Sequence, residues 1–583
     1  MRTEMFSSTD PVNRFERKSF SGKERFTSIG TGSLGAKARG LADIGGILES
    51  RIAPRFGPAI LIDIPRLTVI ATDSFDRFME ENGLFEIAAS ARTDEEIARA
   101  FQKSSLPEQL TSDLRVFVAH IRVPLAVRSS SLLEDAVHEP LAGVYVTKMI
   151  PNNQPDLEDR LRNLSDVIKY VYASTYFKKA KDFLRATRHR TGDEKMAVII
   201  QEVVGIRYNN RFYPQVSGVA RSFNFYPIGL SRPGDGVVEL ALGLGKIIVD
   251  DGIAWSVSPA YPHVNPPYNT LRDLLKRTQR EFWAIDMTVR ETRHAVDETE
   301  HLKKYTLVDA EHDGALSFIA STYEIENERI VMGITGRDPR IVDFGQILKA
   351  ELIPLTALLK EALKACEQSL GTAVEIEFAM TLSHPHATPA RFGFLQVRPM
   401  VISHAQVDVH PEELNAPTAL VASESALGNG TETAIRDVVY VRPRALDTAH
   451  TRIIERELEA INQRLVGESR PYVLIGFGRW GSSDPSVGIP VNFAQISGAR
   501  VIVETTLPNT DFILSQGSHF FHNITSSKVL YFSVSHTGKF RVDWRWLEGQ
   551  PAAEETEFTR HVRLASPLNV KVDGRTNRGV IQK

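Results

Sequence analysis

Cysteine is almost missing from this 583-residue chain, and its single residue, Cys366, excludes both an intrachain disulfide framework and a multi-thiolate metal centre. Long apolar runs are missing too. Stretches such as Met196-Ala197-Val198-Ile199-Ile200 stop at polar residues, far short of the roughly 18 needed to span a bilayer, so no transmembrane helix is expected. Charge of one sign is not in excess: 69 Lys and Arg face 72 Asp and Glu, a net of −3, which offers nucleic acid no global attraction. The first 26 residues have no apolar centre and carry acids, which fits neither a secretory signal nor a transit peptide, and cytoplasmic residence is the expectation. Internal repeats, low-complexity tracts and the spacing of a Ser/His/Asp triad are likewise absent, and His384 and His386 lack neighbours that would make a metal site.

What is present is ordinary globular material, 42% hydrophobic and 24% charged, enough for about three or four domains. Residues 1–25 are polar and aperiodic and read as a tail. From 26 to 195, strand-like runs at 59–64 and 124–127 alternate with helical patterns at 93–102 and 157–177, an α/β or α+β layering. From 196 to 403 the chain turns toward strand, at 197–204, 215–225, 237–242 and 254–257. Helices are predicted at 270–280 and 344–370, and a hairpin from 374–380 and 392–397. Residues 404–425 read as a linker. Residues 426–583 form a further α/β unit with a helix near 445–465 and strands at 472–476, 499–504 and 529–534. Cys366 falls in a helical pattern and should be buried.

Three segments carry residue types suited to phosphate chemistry. Gly30-Thr31-Gly32-Ser33-Leu34-Gly35-Ala36-Lys37-Ala38-Arg39 places clustered glycines and two cations before a helix, where backbone N–H groups and a lysine can hold phosphate, or where a flexible turn merely carries a solvated lysine. It is not a Walker A loop, because Gly-Lys-Ser/Thr is missing. Pro124-Leu125-Ala126-Val127-Arg128-Ser129-Ser130-Ser131…Glu134-Asp135 runs an apolar strand into a guanidinium, hydroxyls and acids. That suits phosphate recognition, and equally a capped strand end with a surface ion pair. In the hairpin, Glu375 and Glu377 alternate on one strand and Gln396 and Arg398 on the other, so all four face one side. Oxygen donors beside an arginine suit Mg²⁺ with bound phosphates, and such alternation also marks the wet face of a half-buried sheet.

Taken together with Leu141-Ala142-Gly143…Thr147, Gln201-Glu202, Ser217-Gly218-Val219 and Glu239…Gly243-Leu244-Gly245, these segments follow one another in the order of a known domain. From about 26 to 400 the chain resembles the nucleotide-binding domain of the phosphoenolpyruvate synthase and pyruvate phosphate dikinase family. The resemblance implies an ATP-grasp-like fold of two subdomains that hold ATP with Mg²⁺. It further implies that Lys37 and Arg128 contact the transferring phosphates with help from Thr147, that Gln201 and Glu202 lie beside the adenine, that Glu377 and Gln396 hold Mg²⁺, that Arg398 clamps phosphate and that Glu375 supports them. Ala36 and Ala38 stand where relatives commonly carry glycine, which should stiffen the loop.

Relatives pass phosphate to a histidine and then to pyruvate in a (β/α)₈ barrel of around 250 residues, whereas fewer than about 200 follow the hairpin here. Complete pyruvate chemistry by this chain alone is not expected. Gln516-Gly517-Ser518-His519-Phe520-Phe521 is similar to the family's phosphohistidine segment, with two aromatics in place of small residues. His519 is therefore either the phosphoryl acceptor or a structural histidine. Gly476-Phe477-Gly478-Arg479-Trp480-Gly481 is either a ligand loop or a turn packing its aromatics. The function expected is an ATP-dependent phosphotransferase acting on a histidine or another acceptor, with ATP and an unknown phosphoryl acceptor or partner protein as its partners. The alternative is a non-catalytic ATP sensor.

Overall fold

The computed structural model describes residues 12–57, 59–131, 143–186, 194–225, 227, 230–249, 253–265, 271–276, 278–289, 296–382, 389–400, 407–443, 450–481, 488–506 and 528–583. His519, Glu134, Asp135, His384 and His386 lie outside them. The architecture is mixed α/β. No described helix is long and apolar enough to cross a membrane.

A first sheet orders its strands Asn13–Arg14, Phe26–Ile29, Leu67–Ile70, Met196–Glu202, Leu125–Ser131 and Thr147–Ile150. The Leu125–Ser131 strand runs antiparallel to both neighbours, so its alternating side chains divide between core and cleft. One face is covered by the helices Asp94–Lys103, Glu108–His120 and Leu157–Ser174, around a core that includes Phe78, Phe101, Leu114 and Ile168. The helix at 94 begins on a full capping box, Thr93 with Glu96, which fixes its start.

Residues 12–25 depart from the tail expected of them. Asn13–Arg14 pairs with Phe26–Ile29, Phe15 and Phe20 are buried, and Arg17 is paired with Asp113. Two phenylalanines in a polar setting were the available signal, and burial of each is worth about 2 kcal/mol.

The second sheet orders Trp255–Val257, Val237–Ala241, Val216–Arg221, Val374–Thr381, Ala390–Pro399 and Ile60–Asp63. Its centre is the expected hairpin, with Glu375 opposite Arg398 and Glu377 opposite Gln396, and a bulge immediately after Glu377. The 344–370 stretch forms two helices, Gly345–Leu348 and Leu355–Leu370, because the backbone between them leaves the helical region, with Glu351 at φ 50°, and Pro354 stands at the start of the second. Cys366 is buried on the second helix, and burial pushes its thiol up to about 12. The 13-residue helix Gly35–Ile47 lies between the two sheets, touching the Leu125–Ser131 strand and the Ala390–Pro399 strand. At Gly40 an added Cβ would come within 3.4 Å of the Val397 carbonyl, so a small residue lets helix and hairpin pack closely.

The C-terminal unit is built on a seven-stranded sheet in which Asp437–Val441, Tyr472–Phe477, Ala499–Thr505 and Leu530–Val534 lie side by side and parallel. The helix Thr451–Gly467 crosses between the first two, the usual connection of parallel neighbours. Of the stretch read as a linker, Pro411–Leu414 is a short helix and Ala419–Ser423 a strand paired with Arg578–Gln582. This unit rests directly on the first sheet's helical layer: Phe183 packs on Phe493, Lys178 pairs with Glu459 at 2.8 Å, and one apolar core runs through both.

Candidate functional site

A cleft of about 550 Å³ opens between the first and second sheets. Lys37, Arg128, Thr147, Gln201, Glu202, Glu377, Gln396 and Arg398 all line it, drawn from five strands of the two sheets and one helix. The remaining residue singled out by the sequence, Glu375, stands behind the wall, and His519 lies outside the described residues.

Arg128 is the link between the sheets. From the first sheet its guanidinium reaches the second, donating to the Leu395 carbonyl at 3.0 Å and to Gln396 Oε1 at 2.5 Å, with Glu377 Oε2 at 3.5 Å; it also meets Gln201 Oε1 at 3.3 Å. A planar fork with five donors can hold these acceptors together, as a lysine could not. Gln201 is thus drawn into the Arg128 cluster rather than left free for a base. The Glu202 carboxylate accepts from Arg66 Nε at 2.9 Å and lies 3.5 Å from Arg391, so its side chain is already engaged by two cations.

Arg398 is anchored rather than free. It donates through Nε to Glu375 Oε1 at 2.7 Å and again through a second nitrogen to the same oxygen. Glu375 Oε2 accepts from Arg221 Nε at 2.6 Å, and Arg221 donates onward to Glu239 at 2.8 Å. The result is a buried ladder of alternating charge, Arg398–Glu375–Arg221–Glu239. Burial works against the Arg221 charge, but Glu239 and Glu375 outweigh it and hold the guanidinium above its ordinary value. The sequence showed Glu375 as a support; Arg221 as its second cation was hidden, because it sits on a strand 154 residues away.

The glycine-rich turn serves a different purpose from the one its composition suggests. Thr31 N and Gly32 N donate to the Asp73 carboxylate at 3.1 and 3.0 Å, and Ser33 N donates to Thr72 Oγ1 at 3.0 Å. These amides are therefore taken up by the helix start at Thr72, and the turn presents Lys37 instead of a nest of N–H groups. Ser130 ties the turn down: its Oγ accepts from Ala38 N and donates to the Leu34 carbonyl. Ser129 Oγ accepts from Lys37 Nζ at 3.4 Å. The serines after Arg128 thus position the lysine helix. Ala36 and Ala38 sit at ordinary helical positions, with Ala38 fully buried, so the conformational demand at the helix start falls on Gly35, at φ 75°. There a Cβ would come within 1.7 Å of the Ser130 carbonyl oxygen. Gly35→Ala is expected to cost more than about 2 kcal/mol, combining left-handed strain with a backbone clash. Chemical denaturation of the full chain, and loss of nucleotide affinity with it, checks this; unchanged values would place the strain elsewhere.

The cleft also has an apolar lining. Ala126, Val203 and Leu244 form a small cluster with Met149 and Leu302 packed against it, and all five line the cavity. Periodicity could not flag these residues as a site, since an apolar lining looks like core. A cleft lined by an apolar cluster and by Lys37, Arg128 and Arg398 suits a molecule with a flat base and a polyanionic tail.

Mg²⁺ is implied by the resemblance, and the residues present fit it. Glu377 and Gln396 offer oxygens side by side on paired strands, and the Arg128 guanidinium sits against both as the resident cation. An ion that keeps waters and phosphate oxygens as its other ligands needs no more from the protein. Among the described residues no group of three or more His, Cys, Asp and Glu side chains gathers as a self-sufficient metal cage.

Residues 31–417 match the family described as "Pyruvate phosphate dikinase, AMP/ATP-binding domain". No curated protein matches the chain.

Proposed function

The chain belongs to the pyruvate phosphate dikinase AMP/ATP-binding family, and from that premise we propose that it is an ATP- and Mg²⁺-dependent phosphotransferase. The observation that carries this reading is Arg128 reaching across the cleft to Glu377, Gln396 and the Leu395 carbonyl, in a cavity that also has an apolar lining. The adenine lies against Val203, Leu244 and Met149, and the phosphates face Lys37, Arg128 and Arg398, with Thr147 adding a hydroxyl. Glu377 and Gln396 hold Mg²⁺, which supplies neutralisation of phosphate charge. Phosphoryl transfer needs chiefly positioning and compensation of the charge that develops between attacking and leaving oxygens, which fixed cations provide. Glu202, engaged by Arg66 and Arg391, shapes the base end. The acceptor is His519 or another group, and a separate protein is one possible source of it.

The test is incubation with Mg²⁺ and ATP labelled separately at the β and γ phosphates, following AMP, ADP and acid-labile label on the protein. Expected is consumption of ATP by the wild type and a loss of at least about 100-fold in Lys37→Ala, from removal of one preorganised cation. Label absent from His519→Ala identifies that histidine as the acceptor. Tight binding with ATP left intact, with candidate acceptors supplied, would replace the enzyme by a sensor that uses the same cleft.

A further inference from the structure

The nucleotide-binding cleft is not lined by the two sheets alone. Gly481, from the C-terminal unit, also forms part of its wall. This glycine ends the Gly476-Phe477-Gly478-Arg479-Trp480-Gly481 segment, which the nucleotide reading leaves unused. The segment is rigidly built. Gly478 and Gly481 have φ values of 70° and 79°, and Gly478 N donates to the Thr505 carbonyl at 3.0 Å. Trp480 is buried beneath Gly476, where a Cβ would come within 2.3 Å of the indole, and its Nε1 donates to the Val503 carbonyl. Its strand neighbour Arg479 is half-buried.

The position of this turn in the sheet gives it meaning. Tyr472–Phe477, Ala499–Thr505 and Leu530–Val534 are parallel neighbours, registered Phe477 to Thr505 and Thr505 to Val534. Their carboxyl ends therefore emerge in a row as Gly478-Arg479, Thr506 and Ser535-His536. Thr506 and His536 are already joined there, through a 2.8 Å contact between the hydroxyl and Nδ1 and a 2.9 Å bond from the His536 amide. Side chains that follow the carboxyl ends of neighbouring parallel strands gather at one edge of the sheet. Here that edge carries a guanidinium, hydroxyls and an imidazole, and its first turn shares a wall with the cleft.

We infer that the carboxyl edge of the C-terminal parallel sheet is a second binding site, which holds a small oxyanion-bearing acceptor through Arg479, Thr506 and His536 beside the nucleotide. The inference rests on the reading of the cleft as a nucleotide site. It also accounts for the packing of the two units: Phe183 on Phe493, the Lys178–Glu459 pair and a shared apolar core hold the C-terminal unit in place against the cleft. A guanidinium at such a site suits carboxylate or phosphate by its planar fork.

Amide exchange on the full chain tests this, with a non-hydrolysable ATP analogue plus Mg²⁺ added first and inorganic phosphate or acetate second. The analogue should slow exchange in peptides covering 125–131 and 374–381. The anion should then slow exchange in peptides covering 472–481 and 528–540. Arg479→Ala should abolish the anion effect and leave the analogue effect intact, and Arg479→Lys should keep part of it. Protection by phosphate but not acetate names a phosphate-bearing acceptor, and the reverse a carboxylate. If the analogue protects 125–131 while neither anion affects 472–481, or if the anion effect survives Arg479→Ala unchanged, the second site is refuted and the nucleotide reading stands. No protection at 125–131 sinks both.

Discussion

Replacing Arg128 by alanine should lower ATP turnover by about 1,000-fold or more, an effect of roughly 4 kcal/mol on the transition state. The size follows from where the side chain sits. It is the cation of the first sheet that bonds across to the second, and its guanidinium touches Gln201, the Leu395 carbonyl, Gln396 and Glu377 together. Its removal takes away a preorganised charge in the cleft and leaves Glu377 and Gln396 without the guanidinium they now share. Arg128→Lys restores the charge but not the fork, so it should recover only a small part of the rate. The measurement is steady-state ATP consumption beside a thermal melt. A melt close to wild type with turnover lost separates a chemical role from a structural one, and wild-type turnover in Arg128→Ala would remove the assignment.

Glu375→Gln should be the most destabilising single change near the site, at about 3–5 kcal/mol. Glu375 is the carboxylate between Arg398 and Arg221, and it is 2% exposed. Without its charge Arg221 keeps Glu239, and Arg398 loses the carboxylate that receives both of its bonds. The cost is that of leaving a buried cation uncovered, which exceeds the net worth of the intact pairs. The double variant Glu375→Met with Arg221→Met should therefore be less damaged than the sum of the single changes, because one cation leaves with the anion. Urea unfolding of the full chain, followed by a probe in the nucleotide-binding unit, reads both. Additive losses would mean that the ladder is hydrated and its members independent. Nucleotide affinity should fall with Glu375→Gln as well, since Arg398 then loses the carboxylate charge that holds it in place.

The parts of this protein that were legible in its sequence are those whose partners are close along the chain. The hairpin was visible from two-residue alternation, and Glu375, Glu377, Gln396 and Arg398 occur in facing register. The parallel strands of the C-terminal unit were visible as short apolar runs. Order along the chain, more than any one motif, pointed to the family. What stayed hidden depends on partners far away. The amides of Thr31 and Gly32 are bound by Asp73 some forty residues on, so a turn that resembles a phosphate nest is a helix anchor. Phe15 and Phe20 find their core on helices near residue 117, which composition cannot reveal for a short polar stretch. The apolar lining of the cleft is indistinguishable from core until the two sheets are set face to face, and Gly481 joins that lining from a separate unit.

The strand Ala419–Ser423 lies beside Arg578–Gln582, with Lys583 N donating to the Thr418 carbonyl. This pairing sets a timetable. The sheets around the cleft are complete once Pro399 has been made, whereas Ala419–Ser423 must wait for a partner that, at 5–20 residues per second, arrives about ten to thirty seconds later on the ribosome. The nucleotide-binding unit can thus finish folding while the C-terminal unit is still an open chain, and the wall that Gly481 contributes is added last, onto a surface already formed.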